Sequence, residues 1–76
     1  MPVIPRPYSR IGQPVRVLSG AARGAVGVIV GADAGATTYY RVRFEPPVYL
    51  PAVGHLASVW RTASDLEELP QPPRRL

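Results

Sequence analysis

Cysteine, lysine and asparagine are absent from this 76-residue chain, and histidine occurs once. Without cysteine there are no disulfides and no thiolate ligands, and with one histidine a structural zinc site is excluded as well. Without lysine the Gly-Lys-Ser/Thr loop that cradles nucleotide phosphates cannot be built. No apolar run approaches the length of a membrane span and the start carries no signal-peptide core, so the expected compartment is the cytoplasm. Sustained helical periodicity is missing too. Asp65–Leu69 has the composition to start a helix, but Pro70 stops it after one turn.

What is present is arginine, proline, glycine and short alternating strands. All nine basic residues are Arg, and the formal net charge is +4. Arg6, Arg10, Arg74 and Arg75 lie near the ends, so the body between them is nearly neutral. Affinity for nucleic acid scales with the phosphates neutralised, and a neutral body offers few such contacts. Pro2, Pro5 and Pro7 make 1–10 an extended lead-in, and 70–76 is a Pro/Arg-rich tail. The remaining 11–69 is one small domain, near the lower size limit for a fold that stands alone. Docking on a larger body, or oligomerisation, would relieve that limit.

Five short strands are expected. Pro14–Leu18 opens the set, and Gly20 and Gly24 then supply positive φ in a loop. Ala25–Val30 follows, with Val26, Val28 and Val30 on one face and Gly27 and Ile29 on the other, Gly27 marking a bulge or a close backbone approach. After a Gly/Ala-rich connection over 31–37, Thr38–Glu45 alternates most clearly. Tyr40, Val42 and Phe44 point in; Tyr39, Arg41, Arg43 and Glu45 point out. Pro46, Pro47 and Pro51 predict a stiff irregular loop from Glu45 to Gly54. A strand over Leu56–Arg61, a tight turn over Thr62–Asp65 and a last strand over Leu66–Leu69 complete the pattern.

Residues Gly12 to Ile29 run Gly-x-x-Val-x-Val-x-x-Gly-x-x-x-Gly-x-x-Gly-x-Ile, which places Val15, Val17, Gly20, Gly24 and Gly27. This stretch resembles a KOW motif, the hairpin that opens many small SH3-like β-barrels. The resemblance implies an all-β, five-stranded SH3-like barrel and contact with RNA, ribosomal components or RNA polymerase. Arg16, Arg23, Arg41 and Arg43 would then be the nucleic-acid contacts. Where many KOW proteins set basic residues on both sides of the middle glycine, this chain has Arg23 alone among alanines.

Arg41-Val-Arg-Phe-Glu-Pro-Pro-Val-Tyr49, with Asp65-Leu-Glu-Glu-Leu69, is similar to the barrel subunits of photosystem I and ferredoxin-thioredoxin reductase. Those subunits imply a cofactor-free barrel docked on a larger complex. Gly12–Ala22 is also similar to the opening strand and loop of type II dihydrofolate reductases, whose barrels form tetramers. The catalytic Val-Gln-Ile-Tyr strand of that family is replaced here by Ser58-Val-Trp-Arg61, so no catalytic residue carries over.

His55 has no carboxylate or Ser at motif spacing, and the adjacent Glu67 and Glu68 face opposite ways in a strand, so no active site is expected. Tyr39, Arg41 and Arg43 make an aromatic-plus-guanidinium surface, with Trp60 on a neighbouring strand. Its plain alternative is a solvated face in which Glu45 pairs with Arg43. Tyr49 and Leu50, held between prolines, either present apolar groups to a partner or fold back over the open end of the barrel. The sequence thus predicts a non-enzymatic docking module without cofactor or metal, acting on a larger protein or ribonucleoprotein through Tyr39, Arg41, Arg43, Tyr49, Leu50 and Trp60. Direct KOW-type nucleic-acid binding is the second expectation, and a subunit of a homo-oligomeric, dihydrofolate-reductase-like enzyme the third.

Overall fold

The computed structural model describes residues 10–70. The expectations for the Pro-rich lead-in before Arg10 and for the Pro/Arg tail after Pro70 lie outside the described residues. Five strands form: β1 (Pro14–Val17), β2 (Val26–Ala34), β3 (Thr38–Leu50), β4 (Gly54–Thr62) and β5 (Leu66–Glu68), with a single 3₁₀ turn, Ala63–Asp65, between the last two. They make one antiparallel sheet in the order β4-β3-β2-β1-β5. The described residues hold no α-helix, and no helix long and apolar enough to cross a membrane.

The sheet is coiled, because its connections allow nothing flatter. Strands lie ~4.8 Å apart, so in a flat sheet β4 and β5, at opposite edges, would be about 19 Å from one another. The link from Thr62 to Leu66 reaches at most ~14 Å even when extended, and it is wound into a 3₁₀ turn. The sheet therefore curls until its two edges approach. All five strands consequently contribute to one core: Val15 and Val17 from β1, Ile29 from β2, Tyr40, Val42 and Phe44 from β3, Val59 from β4, and Leu66 of β5 packed against them. Burying a side chain the size of Phe44 or Ile29 contributes about 1.5–3 kcal/mol.

The closed barrel expected from the sequence is not formed. β5 pairs with β1, not β4, so the ladder stays open with β4 and β5 as edges. The three-residue β5 leaves the 3₁₀ turn hydrogen-bonded to β1 on one side, and its other edge pairs with no described strand; Leu18 N–H donates to Asp65 O at 2.9 Å at this junction.

The prolines of β3 also sit differently from expectation. The loop expected over Glu45–Gly54 is mostly strand: Val48, Tyr49 and Leu50 pair with Leu56, His55 and Gly54. The ladder skips from Arg43–Ser58 to Val48–Leu56, which leaves Pro46 and Pro47, without N–H donors, in a wide bulge where no ladder bond is needed. Pro51 occupies the second position of the turn, Val53 N–H donates to Leu50 O at 3.1 Å, and Gly54 follows at φ +82°. That is a three-residue hairpin loop closed by a glycine in the left-handed region.

Arg10, expected in a detached lead-in, is held against the body. Its Nη1 donates to Glu68 Oε1 at 2.6 Å and its guanidinium lies 5.7 Å from the Tyr40 ring centre. β2 runs on through Ala34, so Gly31 belongs to the strand rather than the connection; the register shifts between Ile29 and Gly31. In the β1–β2 loop Gly20 and Gly24 have φ +76° and +91° as expected, and the Arg61 side chain lies over Gly20. Gly27 is the close approach: a Cβ there would sit 2.5 Å from Arg43 O and 2.7 Å from Val42 Cγ1.

Candidate docking face

Alternation in three adjacent strands builds one outward face. From β2 come Val26, Val28 and Val30; from β3, Tyr39, Arg41, Arg43 and Glu45; from β4, Ser58, Trp60 and Thr62. The register sets Val28 against Arg43 and Arg43 against Ser58, and in the next rung Arg41 against Trp60. The valines stay 52%, 40% and 41% exposed on the central strand of the sheet, and Trp60 47% on its edge strand. A strand apolar on both faces is the pattern of a strand covered on both sides. Here the inner face, with Gly27 and Ile29, is covered and the outer one is open.

The surface is hollowed beside that stripe. One open groove of about 420 Å³ is lined by Pro14, Val26, Gly27, Val28, Val30, Arg43 and Glu45, and a second of about 430 Å³ by Val30, Arg41, Arg43, Ala57 and Ser58. Val30 and Arg43 belong to both, so the two run together across β2–β4.

The charges on this face are lightly engaged. Arg41 Nε donates to Ser58 Oγ at 3.3 Å, drawing the guanidinium over β4. Arg43 Nε is 3.9 Å from Glu45 Oε2, with both side chains more than half exposed, so the pair is loose and screened. Each guanidinium carries five donors in a fixed fork, and most of these stay available. Arg16, one strand away on β1, is different. Its Nη1 donates to Glu67 Oε1 at 2.7 Å. Arg23 sits exposed in the β1–β2 loop. Among 10–70 there are six arginines against five carboxylates, and two of the six are committed to Glu67 and Glu68.

The residues expected to bind a partner therefore divide. Tyr39, Arg41, Arg43 and Trp60 lie together on the outward face. Tyr49 and Leu50 lie at the far end of the β3–β4 hairpin, with Leu50 half-buried beside the turn. Tyr49 neither folds over the core nor joins the others; it is 62% exposed, its ring tilted against His55 at 5.3 Å between centroids. His55 is exposed. The Val26/Val28/Val30 stripe was not picked out beforehand as part of a site, although β2's apolar character on both faces was a readable signal. Among the described residues no group of three His, Asp or Glu side chains is placed to hold a metal ion. No protein-family model, curated protein or solved structure matches this chain.

Proposed function

We propose that this chain is a non-enzymatic interaction module, a small coiled sheet of the SH3-like kind, that docks on a larger protein through the outward face of β2–β4. The observation that carries the reading is the exposed valine stripe on a central strand, next to the shared groove and two lightly engaged arginines. An apolar stripe rimmed by Arg41, Arg43, Trp60 and Tyr39 has the composition of an interface centre, where aromatics and arginine concentrate. Its complement is an apolar surface carrying carboxylates. The KOW-like spacing of Gly12–Ile29 fits this reading as a hairpin signature. The nucleic-acid role is the weaker alternative, since Glu67 and Glu68 neutralise Arg16 and Arg10.

Affinity capture from the source cells with the full chain as bait, after nuclease treatment, tests the reading. Val28→Thr keeps shape and β-branching while making the stripe polar. A defined protein is expected to be retained by the native bait and at least about tenfold less by Val28→Thr/Arg43→Ala, with an unchanged circular dichroism spectrum. Equal retention by both baits, or a signal lost on nuclease treatment, refutes it.

A further inference from the structure

The two edges of the sheet differ in how they meet solvent. β5 spans three residues and bears Glu67 and Glu68, each paired to an arginine. A short, charged edge of this kind resists pairing with another chain. β4 is the opposite case. Its nine residues, Gly54–Thr62, contain no proline, lysine or carboxylate. The interruption of its ladder with β3 lies on the β3 side, at Pro46 and Pro47, and leaves β4 itself regular. Among the described residues, no backbone hydrogen bond from a turn or loop reaches β4. Among the described residues its outer N–H and C=O groups are open to another strand except at Trp60 O, which accepts from Arg61 Nη1 at 2.7 Å and which an incoming N–H would share or take over.

We propose that this edge accepts an extended segment of the partner protein as a sixth strand, and that the segment carries a carboxylate two residues from an apolar or aromatic side chain. The inference rests on the docking reading above and names its mode. Strand addition supplies affinity through the backbone and specificity through alternate side chains. On the outward face the incoming strand meets Ser58 and Trp60, two residues apart. Arg41 sits opposite Trp60 and sends its Nε to Ser58 Oγ, so its guanidinium already leans towards the edge. A carboxylate opposite Ser58 completes that cation. An apolar or aromatic group opposite Trp60 covers the exposed indole.

Charge selects this occupant over two others. A second copy pairing through β4 would bring no carboxylate from 54–62 to meet Arg41. The chain's own ends offer Pro2, Pro5, Arg6 and Pro7 on one side and Pro72, Pro73, Arg74 and Arg75 on the other. Proline lacks the donor a ladder requires, and arginine repeats the charge already at the edge.

The test uses the full chain, isotope-labelled, with the capped peptide Thr-Val-Glu-Val-Phe-Val-Thr and its Glu→Lys counterpart. Binding of the acidic peptide is expected to slow hydrogen exchange at alternate amides of β4. The Lys peptide, Arg41→Ala and Ser58→Asp, which places a carboxylate beside Arg41 in advance, are each expected to weaken binding about three- to fivefold, with Arg41→Lys intermediate. If neither peptide binds at millimolar concentration, the proposal is wrong whatever the capture experiment returns. Binding that shifts Val28 and Val30 without protecting β4 refutes strand addition while leaving the docking face standing. β4 protection that grows with protein concentration in the absence of peptide gives the edge to a second copy, and also overturns it.

Discussion

Replacing Gly27 by alanine adds a single methyl group to the inner face of β2, and its consequence can be worked from the distances. The new Cβ would lie 2.5 Å from Arg43 O, 2.7 Å from Val42 Cγ1 and 3.0 Å from Phe44 Cδ1. The φ of Gly27 lies outside the positive region, so the cost is crowding alone. The nearest neighbour is a backbone carbonyl of the adjacent strand, which cannot rotate away as a side-chain end can. β2 and β3 must separate locally, and Val42 and Phe44, both fully packed, must follow. Overpacking of this sort costs about 1–3 kcal/mol, and the upper half of that range applies when backbone has to move. A domain of this size has about 4–11 kcal/mol to lose. With ~4–8 °C per kcal/mol, Tm should fall by about 8–24 °C. Gly31→Ala is the control on the same strand, since its Cβ would meet only Arg41 Cβ at 3.7 Å, and it should stay within about 0.5 kcal/mol of the native chain. Thermal melts followed by circular dichroism compare the two. If Gly27→Ala melts within about 2 °C of Gly31→Ala, the close β2–β3 approach is not what requires glycine there.

Two further outcomes follow from the packing and the ion pairs. Phe44→Ala removes the largest fully buried side chain and should cost about 3–5 kcal/mol, lowering Tm by about 12–40 °C; a melt within about 5 °C of the native chain would contradict the core described above. A double-mutant cycle on Arg16 and Glu67, whose side chains are 45% and 49% exposed, should give a coupling below ~1 kcal/mol that shrinks further in high salt, measured by denaturant unfolding.

The sequence made the inner side of the sheet legible because alternation is a local signal. Tyr40, Val42 and Phe44 are buried and Tyr39, Arg41, Arg43 and Glu45 exposed, and that follows from the period of a strand. Gly20, Gly24 and the turn before β5 were legible for the same local reason. Proline misled because its meaning depends on the neighbouring strand. Pro46 and Pro47 suggest a loop in isolation, yet a bulge opposite β4 accommodates them, and Pro51 with Gly54 is a hairpin turn once its flanks are paired. Register is likewise non-local: nothing within β3 says that Arg41 faces Trp60, or that Arg16 is met by Glu67 from the far end of the domain. The open ladder was hidden most deeply. Whether β5 joins β1 alone or also closes onto β4 depends on a three-residue strand and the curl of the whole sheet.

The two faces of β2 are coupled through Arg43. Its carbonyl lies against Gly27 on the buried side, while its guanidinium lines the groove beside Val28 on the exposed side. The approach that glycine permits therefore sets how near the cation sits to the valine stripe. Moving β3 away from β2 widens the groove and displaces Arg43 from the apolar surface it borders. β4 is hydrogen-bonded to β3 and moves with it, so Arg41, Ser58 and the free edge keep their mutual geometry. A perturbation at Gly27 should thus weaken contacts that span the groove more than contacts made at the edge, because it strains the β2–β3 pairing and leaves the β3–β4 pairing intact.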